Sequence, residues 1–166
     1  MNQLILAYRI AQIQLGQKEI EGSKDNPKIV GYHKATTLVA TDDETPWCSS
    51  FVNWCLIISA ILLNPEMANS LLLKAKFEVD DIDYFFDQAI ELNKILKIAT
   101  DGSLLKRVNP KQVMPVVMLG TLNAMARSFH LFSKETKDPK EGDIVVLTRP
   151  GSPTNGHVAF LAKKGF

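Results

Sequence analysis

Thr45-Pro46-Trp47-Cys48-Ser49-Ser50-Phe51-Val52-Asn53-Trp54-Cys55 holds both cysteines and both tryptophans of a 166-residue chain. Each pair is spaced by seven residues, which is two turns of an α-helix. Threonine followed by proline is a helix-start signal. Thr45 is expected as N-cap and Pro46 as the first helical residue, where a missing N–H costs nothing. The helix is then predicted from Trp47 to Leu62 or Leu63. At 1.5 Å per residue the two cysteine Cα atoms stand about 10 Å apart on it, too far for a disulfide. Both are therefore read as free thiols in different settings. Cys48 falls in the first turn, where free N–H groups and the helix dipole favour a thiolate. Cys55, beside Trp54, Leu56 and Ile57, reads as a small packed hydrophobe.

The rest of the chain bounds what surrounds this helix. Apolar residues make up 46% and charged residues 22%, ordinary values for one globular domain spanning 1–166 with its own core. A net charge of +1 supplies no global field to recruit nucleic acid or an anionic membrane. No apolar run is long enough to span a bilayer. The N-terminal stretch, broken by Arg9, Gln12 and Gln14, lacks the basic start of a signal peptide. Synthesis in the cytoplasm is expected, with any work in the periplasm or cell wall following non-classical export or lysis.

Leu4, Ala7/Tyr8, Ala11 and Leu15 predict an amphipathic helix over about 2–15 that stops at Gly16. Asp25-Asn26-Pro27 predicts a turn into a short helix near Lys28–Lys34. Residues 64–119 carry a helical apolar pattern, with Ile82, Phe85/Phe86, Ala89/Ile90 and Ile95/Leu96 as its clearest stripe. Pro110 and Pro115 predict a break between them, and a further helix is expected over about Leu122–Phe132. The last third changes character. Asp143–Arg149 and "HVAFLAKK" read as two strands joined by a seven-residue loop, an antiparallel pair. Helices first and strands last give an α+β fold class.

A cysteine nucleophile needs a base. His33 and His130 read as surface or satisfied core histidines. His157 opens the second strand after Asn155-Gly156, so its ring is offered at a strand mouth. Cysteine on a helix start facing a histidine on a neighbouring strand is the papain-type layout, in which imidazole takes the thiol proton.

"DDETPWCSSFVNWCL", "GTLNAMARSF", "PKEGDIVVLTR" and "GHVAFL", in that order, resemble a bacterial and phage family of small cysteine hydrolases. It belongs to the CHAP/NlpC-type superfamily of peptidoglycan amidases and endopeptidases. The upstream "GQKEIEG" and "NPKIVGYHKAT" resemble that family's N-terminal region, so the resemblance covers 1–63 and 120–161. It implies a papain-like, NlpC-type fold with the nucleophile's helix packed on a small antiparallel sheet. It also implies Cys48 as nucleophile, His157 as general base, and an amide of the cell-wall stem peptide as substrate. Cleavage would pass through a thioester acyl-enzyme, with no metal or organic cofactor. An immunity or inhibitor protein is a candidate partner. In this family a third polar residue orients the histidine from the strand after it, which for this chain is expected beyond Phe166. Residues 64–119 stand as a helical insertion, either an extension of the core or a lid, specificity element or docking surface.

Other residues keep two readings. Trp47 and Trp54 are core packing, or Trp47 lines the cleft. Asp43, within the acidic run Asp42-Asp43-Glu44, belongs to a solvated turn or contacts a substrate amine. Asn53 is a helix-surface residue or bonds within the site. Arg127 pairs with an acid or binds a substrate carboxylate. Beside the hydrolase reading stand two alternatives: a catalytically impaired scaffold that binds wall fragments or a protein, and a papain-like transferase acting on cytoplasmic amides.

Overall fold

Asn2 starts the first helix, α1 (Gln3–Ile13), by accepting the Leu4 N–H on its side chain at 2.9 Å, the capping role short polar residues play. The computed structural model describes residues 2–97, 115–152 and 155–163. The expected break at Pro110 lies outside them. The buried face of α1 is Leu6, Ala7 and Ile10, one helical step from the predicted stripe. Leu15 lies past the helix end and is 81% exposed. Gly16, at φ +91°, turns the chain away as the sequence predicts.

Asn26 caps α2 (Pro27–His33) through the Lys28 N–H at 3.0 Å, with Pro27 in the first turn. The central element is α3 (Cys48–Leu63). Thirteen of its sixteen residues are buried, so it is enclosed on all sides rather than amphipathic. α1, α2, α4 (Pro65–Lys74), α5 (Val79–Leu96) and the second strand all pack on it. α5 buries Ile82, Phe85, Ala89, Leu92 and Leu96, so Leu92 takes the place expected of Ile95, which is exposed. Within 64–119 the described helices are α4 and α5, whereas residues 115–119 are not helical.

Two expectations are corrected. Thr45 is not the N-cap of α3. Its N–H and hydroxyl both donate to Asp42 Oδ1, at 2.7 and 2.8 Å, closing a turn in which the threonine is already committed. Trp47 occupies the cap position with no side-chain cap bond, and Cys48 becomes the first helical residue. The helix expected over Leu122–Phe132 is a short 3-10 helix, Ala126–Leu131. Upstream of it, Leu122 has φ +55° and its N–H is taken by Asn53 Oδ1 at 2.8 Å. Asn123 Oδ1 accepts the Met125 N–H. These side-chain acceptors compete with the helix for its backbone donors.

β1 (Ile144–Thr148) and β2 (Gly156–Phe160) pair antiparallel, Ile144 opposite Phe160 and Thr148 opposite Gly156. Leu161 N–H to Asp143 carbonyl, at 2.7 Å, carries the pairing past the strand ends. The described chain is thus mixed α+β: helices around α3, closed on one side by a two-stranded antiparallel sheet. Among the described residues no helix is long and apolar enough to cross a membrane.

Candidate active site

The start of α3, α1 and β2 leave a cavity of about 640 Å³ between them. Cys48 lines it from the first position of α3, and His157 from the second residue of β2. Cys48 is half-buried and free. His157 is exposed, and next to it Val158 is buried, so the histidine stays at the open side while its neighbour anchors the strand. Leu15, Trp47, Phe51 and Phe160 give the cavity apolar walls. The thiol and the imidazole share this space without a hydrogen bond between them among the described residues. Unliganded sites often hold such pairs apart until substrate tightens them.

Because α3 lacks a side-chain cap, the first-turn N–H groups are not taken up by one. The first backbone bond of the helix runs from Phe51 N–H to Trp47 carbonyl at 2.8 Å. The Cys48 N–H has no intrahelical acceptor, as for any residue of a first helical turn. It sits beside the thiol and is available to an oxyanion.

Cys55 is the opposite case. It is fully buried among α3's apolar neighbours, and burial pushes its thiol well above the ordinary value. It lies with Trp54 in the core, where Tyr32 meets Trp54 and Phe51 at ring-centroid distances of 5.0 Å each.

Three expected binding residues lie elsewhere. Asp43 is 1% exposed, and its Oδ2 accepts the N–H groups of Ile20 and Asn26 at 2.8 Å each. It is neither a solvated turn residue nor a lining residue of the cavity. Asn53 is fully buried. Its amide donates to Ser49 O at 2.9 Å while its oxygen holds Leu122 N–H, fixing segment 120–123 to α3. Arg127 lines a second, shallower groove formed with α4 and residues 117–132. Trp47 does line the thiol cavity, its indole donating to Glu19 Oε1 at 3.1 Å. Glu19 and Arg149 are the charged lining residues that sequence reasoning missed. Glu19 stands in the polar stretch after Gly16, where no periodicity marks one residue over another.

His33 is a buried neighbour of the site rather than part of it. It is 2% exposed, its Nδ1 lies 3.0 Å from Ser50 Oγ, and Nε2 is left without a partner. Burial lowers its pKa below 6.5, and the facing Asp42 opposes this in part. The unfolded chain therefore takes up the proton first as pH falls, and stability is lost from about pH 6.5 downward until the folded form also protonates. Asp42, itself held low by Thr45, acts in a separate and more acid window. Urea midpoints measured between pH 7.5 and 5 should fall on the acid side, and His33→Gln should flatten that dependence. An unchanged slope in the variant would assign the effect elsewhere.

Comparison with protein-family models, with curated proteins and with solved structures returns no match, so the cavity is read from its own geometry.

Proposed function

We propose that the protein is a cysteine hydrolase of the papain-like, NlpC type that cleaves an amide of the cell-wall stem peptide. The supporting observation is that Cys48, at the first position of α3, and His157, on β2, line one apolar-walled cavity. In this reading His157 takes the thiol proton as substrate fills the gap between them. The thiolate adds to the amide carbonyl, and the oxyanion meets the Cys48 N–H. Collapse expels the amine, which leaves with the proton held on His157. Water, deprotonated by the same imidazole, then hydrolyses the thioester and restores the thiol. Every step uses groups of the chain and water.

The test is incubation of the protein with peptidoglycan and mass analysis of the released fragments, against Cys48→Ala. New termini at an amide bond support the reading; identical fragment patterns from both proteins exclude it.

One observation favours a second reading. His157 is exposed and has no hydrogen-bonding partner among the described residues to orient it, the condition of a binding scaffold whose chemistry is impaired. Thiol chemistry separates the two. In the native protein iodoacetamide should label Cys48 and leave buried Cys55 unlabelled until unfolding, as peptide mapping reads out. His157→Ala should slow Cys48 labelling if the imidazole assists the thiol, and leave it unchanged in a scaffold.

A further inference from the structure

Trp47 forms the cavity wall immediately before the thiol, and its ring is held in two ways. Apolar contacts come from Tyr32 at 6.0 Å and Phe51 at 5.9 Å between ring centroids. These ring contacts, one tilted and one edge-on, orient the indole by packing but leave its polar atom unengaged. Its single polar atom, the indole N–H, donates to Glu19 Oε1, and a hydrogen bond is directional.

Glu19 itself is exposed, on the stretch between α1 and α2. An exposed loop carboxylate would ordinarily wander. This loop is tied down on both sides of it. The next residue, Ile20, and the α2 cap, Asn26, give their N–H groups to the same oxygen of Asp43. Asn26 Nδ2 also donates to Gln17 Oε1 at 3.1 Å and to Lys18 O at 3.0 Å. Asp43 is buried with its other oxygen, Oδ1, unpartnered. Leaving a buried polar oxygen unpartnered is costly, and the two N–H bonds to Oδ2 are what ties the loop to this side chain.

We infer that Glu19 is a positioning residue: held in place by the Asp43-anchored loop, it fixes the Trp47 indole beside Cys48 and so sets which acyl groups the cavity takes. The inference rests on the proposed use of the cavity as an active site, but the tether can be read without turnover. With the wall fixed, the space left beside the thiol by Trp47, Leu15 and Phe51, which line the same cavity, favours slender acyl groups. With the tether cut, the indole drifts and discrimination by size changes.

The experiment compares labelling of Cys48 by iodoacetamide and by N-benzyliodoacetamide, which share one reacting carbon and differ only in the group laid against the wall. The ratio of the two rates cancels the intrinsic reactivity of the thiol. Glu19→Ala is expected to shift that ratio by about fivefold, the equivalent of one net hydrogen bond. It should also move the Trp47 indole N–H resonance, assigned by its absence in Trp47→Phe. Glu19→Gln, which can still accept from the indole, should leave both near the wild-type values. A ratio and a resonance unmoved in Glu19→Ala would overturn the inference. So would a glutamine variant that behaves like the alanine one, since charge rather than the tether would then be at work. Failure of the wild-type protein to release wall fragments would refute the proposed function and leave this readout intact.

Discussion

Replacing Cys48 with alanine is expected to lower fragment release by about 10⁴-fold or more, the scale at which losing a nucleophile leaves only binding and oxyanion contacts. The loss should be chemical and not structural. Cys48 is half-buried at the tip of α3, and truncating a side chain there removes little packed surface. Its thermal midpoint should therefore stay close to that of the wild type. Cys55→Ala is the matched control. It removes a fully buried sulfur, so it should cost stability of about 1 kcal/mol or more and leave turnover of the folded fraction intact. A pair of variants that lose activity equally would break the division between the two thiols.

The largest effect on stability is expected at Asn53. Its amide and carbonyl satisfy Ser49 O and Leu122 N–H from a fully buried position. Asn53→Ala strips both partners at once and should cost about 2–4 kcal/mol in urea unfolding. It also releases Leu122, a non-glycine residue held at φ +55°. Gly120 is coupled to the same side chain. It sits at φ +98°, and a Cβ built there would stand 2.5 Å from Asn53 Oδ1. Gly120→Ala should thus destabilise for two reasons, backbone strain and collision. In the Asn53→Ala background the collision with Asn53 goes, while the backbone strain and a 3.0 Å approach to Leu56 Cδ1 remain. The double variant should be less destabilised than the sum of the singles, by about 1 kcal/mol. Simple additivity would show that Asn53 does not reach Gly120 in solution.

How far the sequence could be read follows from what each signal depends on. The central helix, its end near Leu63, the turn into α2 and the paired strands are carried by local patterns. Apolar runs, prolines, glycines and alternation suffice for them. The N-cap of α3 was misread because Thr45 faces two suitors, the helix after it and Asp42 before it. Sequence spacing does not say which one takes the hydroxyl. The helix expected over Leu122–Phe132 failed for a non-local reason, since Asn53, far back in the chain, captures the Leu122 N–H. Cys48 and His157 could be singled out because each sits at an element boundary with a start signal. Glu19 could not, because its place beside Trp47 is set by Asp43 through backbone bonds that leave no mark in composition. Asp43, which reads as a solvated turn residue or a substrate contact, is buried instead: an acidic run looks solvated until the fold closes over one member.

The enclosure of α3 has a consequence for how the protein comes into being. The thiol at its start is supplied early in the chain and the strand that faces it late, with α4 and α5 in between. Contacts that span such a separation are slow to form, so during synthesis the thiol rides on a helix whose facing wall does not yet exist. A nascent polypeptide therefore lacks the pairing of thiol and imidazole on which the proposed activity depends, and the groove should be among the first regions to open when the native state breathes, a hierarchy that amide exchange on β2 would display.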